Sequence, residues 1–381
     1  MSQIKTRVSN AIDNQDAFIL GQYFDFNYLT NSRQFLQQFI GDSNLRQIQP
    51  QFWSDIIKNL IESTATDNLK KSFESYSQAV NIFIRSVNII ELKVPITKVI
   101  ARSLLSYARN GLVNESDRLL SQIFSDVAKL SRQKLFDSPL LAVINATLSV
   151  RLLTNNYNLA DKLLDQCSKM FKIDPTIYTT SELASYYYLK GKIEMVYERQ
   201  KEAFHDLRKS LDFIPLNQKK DRRLVLAHFI PVSLSFGILP TEQLLQEYDL
   251  GIYCDFTKAL ETGDIRLFDN AFEVHQITLI RLGVLEMMAH AKKIVERRLL
   301  ELVCLSWHQV VEKKNIIPIE AFVDAVNLAS NTEISFDDAI IMLANLSYEK
   351  LVKMNIAYGP KKIIFAPNDT FPQPDISLDS D

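Results

Sequence analysis

Nine glycines, at positions 21, 41, 111, 191, 237, 251, 263, 283 and 359, serve a chain of 381 residues. Average usage of about 7% would supply roughly 27. No two are adjacent or set at GxG spacing, which removes the P-loop, the dinucleotide-binding loop and the kinase-type loop together. Scarce glycine, a proline-free run from Gln51 to Val94 and apolar residues recurring at i, i+3 and i+4 predict an all-helical body. The first 45 residues, rich in Asn and Gln, predict only weak helices.

The helices repeat. Asn114-Glu-Ser-Asp-Arg-Leu-Leu, Asn158-Leu-Ala-Asp-Lys-Leu-Leu and Lys201-Glu-Ala-Phe-His-Asp-Leu start 44 and 43 residues apart. In each, a small residue (Ser116, Ala160, Ala203) is followed one helical turn later by a leucine (Leu120, Leu164, Leu207), the arrangement that close helix-on-helix stacking requires. In the third unit Gly191, Ala203 and Pro215 keep the small, small, proline spacing of a tetratricopeptide-type hairpin, with Tyr187 ahead of the glycine. Pro95, Pro139, Pro175, Pro215, Pro231, Pro240 and Pro318 are read as joints at which a helix begins.

Lys plus Arg number 43 against 45 Asp plus Glu, a net charge of −2, so any surface for nucleic acid must be a local patch. Cys167, Cys254 and Cys304 are odd in number and far apart, with neither disulfide nor zinc spacing. The five histidines form no HExxH pair, and no GxSxG elbow is present. The residues therefore predict no catalytic centre, metal or cofactor. No run approaches the roughly 18 apolar residues of a membrane span, and a soluble intracellular protein is expected.

From Ile316 the texture changes. A helix opening after Pro318 would bury Ile319, Phe322, Val323 and Val326. A second, capped by Ser335 with Asp338 three residues on, would bury Ile340, Leu343, Ala344 and Ser347. Asn355–Tyr358 and Ile363–Ala366 flank a Gly359-Pro-Lys-Lys362 turn as a hairpin. Two helices and a hairpin read as a winged helix. Residues 369–381 are polar and acidic, and are expected to stay disordered.

A helical-repeat stack with a C-terminal winged helix resembles the PCI domain of proteasome-lid, signalosome and initiation-factor subunits. Ile230-Pro-Val, Gly237, Leu239-Pro-Thr241, Gly263-Asp-Ile-Arg-Leu-Phe268, Ile280-Arg-Leu-Gly283, Leu343-Ala-Asn-Leu346 and Phe371-Pro372 are similar, in order and spacing, to the PCI domain-containing protein 2 family. The resemblance covers roughly Ser181 to Pro372. Lys350 and Met354 depart from it, standing where the family tends to have glycines. It implies an all-α fold, a right-handed TPR-like helical-repeat stack capped by a winged helix, divided into 1–180 (N-terminal repeats), 181–315 (PCI helices), 316–368 (winged helix) and the tail.

It also implies a non-enzymatic subunit of a TREX-2-like mRNA export complex. The partners implied are the TREX-2 scaffold PCI subunit (GANP-like), a small acidic disordered subunit shared with the proteasome lid, and RNA or DNA, but no membrane. The location implied is nuclear, including the pore, with the cytoplasm as a second place. A signalosome-like or splicing-associated paralogue, or a proteasome-lid-type scaffold, remains the alternative.

The candidate nucleic-acid contacts are Lys350, Lys353, Lys361 and Lys362 around the hairpin, with Arg297 and Arg298 on the preceding helix. Wing lysines also serve simply to protect a strand edge. Gln218–Arg223 is a third basic cluster, read first as an inter-helix loop. The candidate partner surface is Trp307, Val310 and Ile317 rimmed by Lys292, Lys293, Lys313 and Lys314; packing of the winged helix onto the stack is its competing role. Tyr186, Tyr187 and Tyr188 point about 100° apart and are read as core, with one exposed.

Overall fold

A computed structural model describes residues 3–131, 139–310 and 315–377. The chain forms two compact units, Met1–Leu189 and Lys190–Asp381. The first contains α1 (Gln3–Asp13), α2 (Ala17–Gln22), α3 (Phe26–Asn31), α4 (Arg33–Gln37), α5 (Gln51–Ser63), α6 (Leu69–Ser86), α7 (Ile90–Arg109), α8 (Val113–Ser131), α9 (Leu140–Leu153), α10 (Tyr157–Met170) and most of α11 (Thr180–Val196). Of the early helices, where the composition predicted weak ones, α2, α3 and α4 have only five or six residues each. Asp16 and Asp25 accept hydrogen bonds from the first-turn amides of α2 and α3, and Leu20, Phe24 and Leu36 anchor the segment in the core. α5 packs on α6, and α7 lies against α2, α8 and α9. The ring of Tyr76 is fully buried, and its hydroxyl donates to the carbonyl of Phe24 at 2.9 Å, so that burial leaves no orphaned donor.

The repeated segments fall on α8, α10 and α12 (Gln200–Phe213). Ser116, Leu120, Ala160, Leu164, Ala203 and Leu207 are all buried. In the second unit a Cβ at Gly191 would lie 2.7 Å from Leu207 Cγ, which is why the α11–α12 pair uses glycine there. Tyr186 is buried, and Tyr187 and Tyr188 are half-buried rather than one of them being exposed.

The second unit continues with α13 (Lys219–Ser235), α14 (Glu242–Glu247), α15 (Cys254–Thr262), α16 (Ile265–Leu282) and α17 (Leu285–Val310). α17 packs against α13, α15 and α16. Two prolines read as joints instead lie inside helices, Pro95 in α7 and Pro231 in α13. Pro231 has no N–H to give the carbonyl of Ala227 one turn back. The Tyr253 hydroxyl donates to that carbonyl at 2.6 Å, so a neighbouring segment repairs the helix. The basic cluster after Gln218 is also helical, forming the start of α13. Arg222 there donates to the carbonyls of Leu211 and Ile214, satisfying the C-terminal end of α12.

His228 is buried on α13, its Nδ1 3.0 Å from the carbonyl of Leu224. Burial, and next the charge of Lys192, lower its pKa to about 4. The unfolded chain titrates nearer 6.5, so between those values it binds the proton that the fold refuses. Stability is therefore expected to fall as pH drops from about 6.5 towards 4, by on the order of 3 kcal/mol. Urea melts of the wild type and His228→Gln across that range check this; the variant's curve should be flatter.

The winged helix is ordered β1 (Ile316–Pro318), α18 (Ile319–Ala329), α19 (Phe336–Tyr348), β2 (Met354–Ala357) and β3 (Lys362–Phe365). Its antiparallel sheet runs β1-β3-β2, with Ile317 opposite Ile363 and Ala357 opposite Lys362. β1 was not expected. The capping box at Ser335 forms as predicted. The buried face of α19 is Ala339, Leu343 and Leu346, not Ile340, Ala344 and Ser347; only Leu343 belongs to both sets. α17, α18 and β2 all pack on α19, and Ile341 and Tyr348 are left exposed.

Candidate nucleic-acid interface

In a winged helix that reads DNA, the second helix enters a groove and needs cations along its face. α19 has none. Its sequence, Phe336–Tyr348, includes Asp337 and Asp338 but no Lys or Arg, and the candidate lysines stand in the residues that follow it.

Lys350 lies just past the end of α19 with φ 58°, in the left-handed region where helices usually place glycine. Met354 is buried in β2. Among the described residues, the side chains of Lys350 and Lys362 have no ion-pair or hydrogen-bond partner, whereas Lys353 pairs with Asp369. Lys361 is 3.5 Å from Glu320 and 4.9 Å from the ring centre of Phe336. The four lysines thus flank one hairpin, two of them without acids and two held by acids.

Arg297 differs from the expectation. It is buried, donating from Nε to the carbonyl of Leu351 at 3.1 Å and from Nη2 to those of Phe371 and Pro372 at 2.9 and 3.2 Å. Burial lowers its pKa, and its donors are directed at backbone rather than solvent. Arg297 is a tie between α17, the end of α19 and the tail, not a phosphate contact. Arg298 is half-exposed, bound to the carbonyl of Glu261 and to Glu301 at 2.8 Å.

The tail was expected to lack partners, yet residues 369–377 run along the second unit. The backbone N–H of Lys353 donates to the carbonyl of Thr370, Lys201 pairs with Asp375 at 2.8 Å, and His205 Nε2 lies 2.6 Å from the carbonyl of Ile376. Asp369 and Asp375, in the tail expected to stay disordered, each meet a lysine; Asp379 and Asp381 lie outside the described residues. The Phe371-Pro372 signal was visible in the sequence as a family match; the buried arginine that receives it was not.

The candidate partner surface is dispersed. Ile317 is fully buried in β1, belonging to the core of the winged helix because its side chain alternates inward. Lys292 pairs with Asp269 at 2.7 Å, and Lys293 with Glu349. Glu296 on the same helix is half-buried, and burial pushes its pKa up to about 7 against the pull of those two lysines. Trp307 is half-buried near the end of α17. The side chain of Val310, and Lys313 and Lys314, lie outside the described residues. Cys304 is buried, 3.4 Å from His308, and burial raises its thiol pKa, the reverse of an activated nucleophile. Among the described residues no three His, Cys, Asp or Glu side chains gather to hold a metal, and no helix is long and apolar enough to cross a membrane.

No family model matches the chain. The PCI domain-containing protein 2 homolog of Drosophila melanogaster is 27% identical over 214 residues, 55% of this chain and 53% of that protein. PCI domain-containing protein 2 of Danio rerio is 23% identical over 397 aligned positions, 98% of this chain and 97% of that protein. The chain is thus similar over nearly its whole length to PCI domain-containing protein 2, which supports that family. The similarity therefore extends beyond Ser181–Pro372 into the N-terminal half, where no match was read from the sequence. Protein CSN12 homolog of Mycosarcoma maydis is 28% identical over 211 residues, 52% of this chain and 46% of that protein. PCI-domain proteins are generally non-catalytic scaffold subunits.

Proposed function

We propose that the chain is a non-enzymatic scaffold subunit of a TREX-2-like complex that couples transcription to mRNA export. In this reading it pairs with a second PCI protein of the GANP type and with a small acidic subunit, and works in the nucleus and at its pores. The observation that carries the nucleic-acid part is the hairpin. A winged helix whose second helix has no cation still presents Lys350 and Lys362 without partners among the described residues, with Lys353 and Lys361 beside them. Such a wing touches phosphates without reading bases.

Replacing Lys350, Lys353, Lys361 and Lys362 by Glu is expected to lower affinity for single-stranded RNA and to flatten its salt dependence by about 0.7 in slope for each phosphate no longer neutralised. Fluorescence anisotropy at several salt concentrations reads this, with circular dichroism confirming unchanged helix content. Equal binding by wild type and quadruple variant would remove the wing from the reading. The likeness to the CSN12 homolog supports a second reading, a signalosome-like or splicing-associated PCI subunit; the two differ in the PCI partner chosen.

A further inference from the structure

The first unit holds a groove of about 490 Å³ between α7, α9 and the start of α11. Lys98, Arg102 and Arg109 line it from α7. Lys98 is committed to Glu182 at 3.3 Å. Among the described residues, the side chains of Arg102 and Arg109 have no ion-pair or hydrogen-bond partner; both residues are exposed. They stand seven helical positions apart, about 10 Å along the axis.

Asn145 of α9 supplies the second demand. Its Nδ2 donates to the carbonyl of Glu182 at 2.8 Å, but its buried Oδ1 accepts nothing among the described residues. A buried acceptor without a donor costs about 1–3 kcal/mol, so an occupant carrying N–H groups is favoured. The floor beside it is apolar, with Ala142 and Ala146 of α9 and Leu105 of α7.

We infer that this groove binds an extended acidic peptide of a partner protein, its carboxylates on Arg102 and Arg109 and a backbone N–H on Asn145 Oδ1. An extended chain advances about 3.3 Å per residue with alternate side chains on one side. Carboxylates two or four positions apart therefore bracket the arginine spacing. A nucleic-acid strand fits less well: among the described residues the lining has no aromatic side chain on which a base could stack, and Glu182 adds an anion. The site is separate from the winged helix and stands whether or not the export reading holds.

The test uses the full chain and two displayed octapeptide libraries, one with Asp or Glu at alternate positions and one with neutral residues there. The acidic library should be enriched on the wild type and on Lys362→Glu, and recovery should fall at least tenfold on the double variant Arg102→Glu, Arg109→Glu. The milder pair Arg102→Gln, Arg109→Gln, with its melting temperature recorded, should show the same direction of loss. No enrichment over the neutral library would overturn the inference. Enrichment that survives both double variants would also overturn it, as would oligouridylate binding that outcompetes the peptides and is lost in the same variants, which would make the groove an RNA site.

Discussion

Gly263→Val is expected to destabilise the second unit by about 3 kcal/mol and to lower the melting temperature by roughly 10 °C. Gly263 ends α15 with φ +72°, its N–H bonded to the carbonyl of Ala259. An L-residue in that conformation costs about 1–2 kcal/mol. The larger cost comes from α17: an added Cβ would stand 2.9 Å from the backbone nitrogen of Leu299 and 3.0 Å from its Cα. Backbone cannot rotate aside as a side-chain tip can, so the crossing of α15 on α17 must open. Gly283 gives the control, since its φ is +71° but a Cβ there would meet nothing within 4 Å. Gly283→Val should therefore lose only the conformational part. Thermal melts of both variants check the difference, and equal losses would show that the close approach costs nothing.

Arg297→Met should lose about 2–3 kcal/mol and release the tail. Its guanidinium serves three carbonyls from Leu351, Phe371 and Pro372, and an apolar side chain of similar length keeps the packing while leaving those acceptors without a donor. Amide exchange at Lys353, whose N–H donates to the tail carbonyl of Thr370, should rise by at least tenfold, beyond what a global loss of stability produces in the α13 amides. Arg297→Lys should not restore protection, because one ammonium cannot span three acceptors in fixed directions. Unchanged exchange at Lys353 would mean that Lys201 and His205 hold the tail without the arginine.

What the sequence made legible was whatever is written in local chemistry. The capping box at Ser335, the hairpin around Gly359 and the 43–44-residue recurrence of a small residue and a leucine each depend on neighbours within one or two turns. Two of the errors, the phase of α19 and the role of Arg297, come from distant packing. The phase of α19 was misread because Ile340 and Ala339 are both apolar, and packing against α17, α18 and β2 decides which faces inward. β1 was missed because three residues, Ile316–Pro318, are too few to show a period; two β-branched residues before a proline were the available signal. Arg297 looked like a surface cation because its sequence neighbours are charged, and nothing local announces three carbonyls supplied from 54 to 75 residues away. The N-terminal groove was equally invisible, since Arg102, Asn145 and Glu182 meet only in the folded unit.

The scaffold reading is tested most directly by affinity purification of the tagged full chain from native extract at physiological salt, with quantitative mass spectrometry of what remains bound. The expected result is a second PCI protein of the TREX-2 scaffold type at near one-to-one stoichiometry, together with a small acidic subunit, both retained after nuclease treatment. Recovery of the chain alone, or with a signalosome-type PCI partner in place of the export scaffold, would contradict it.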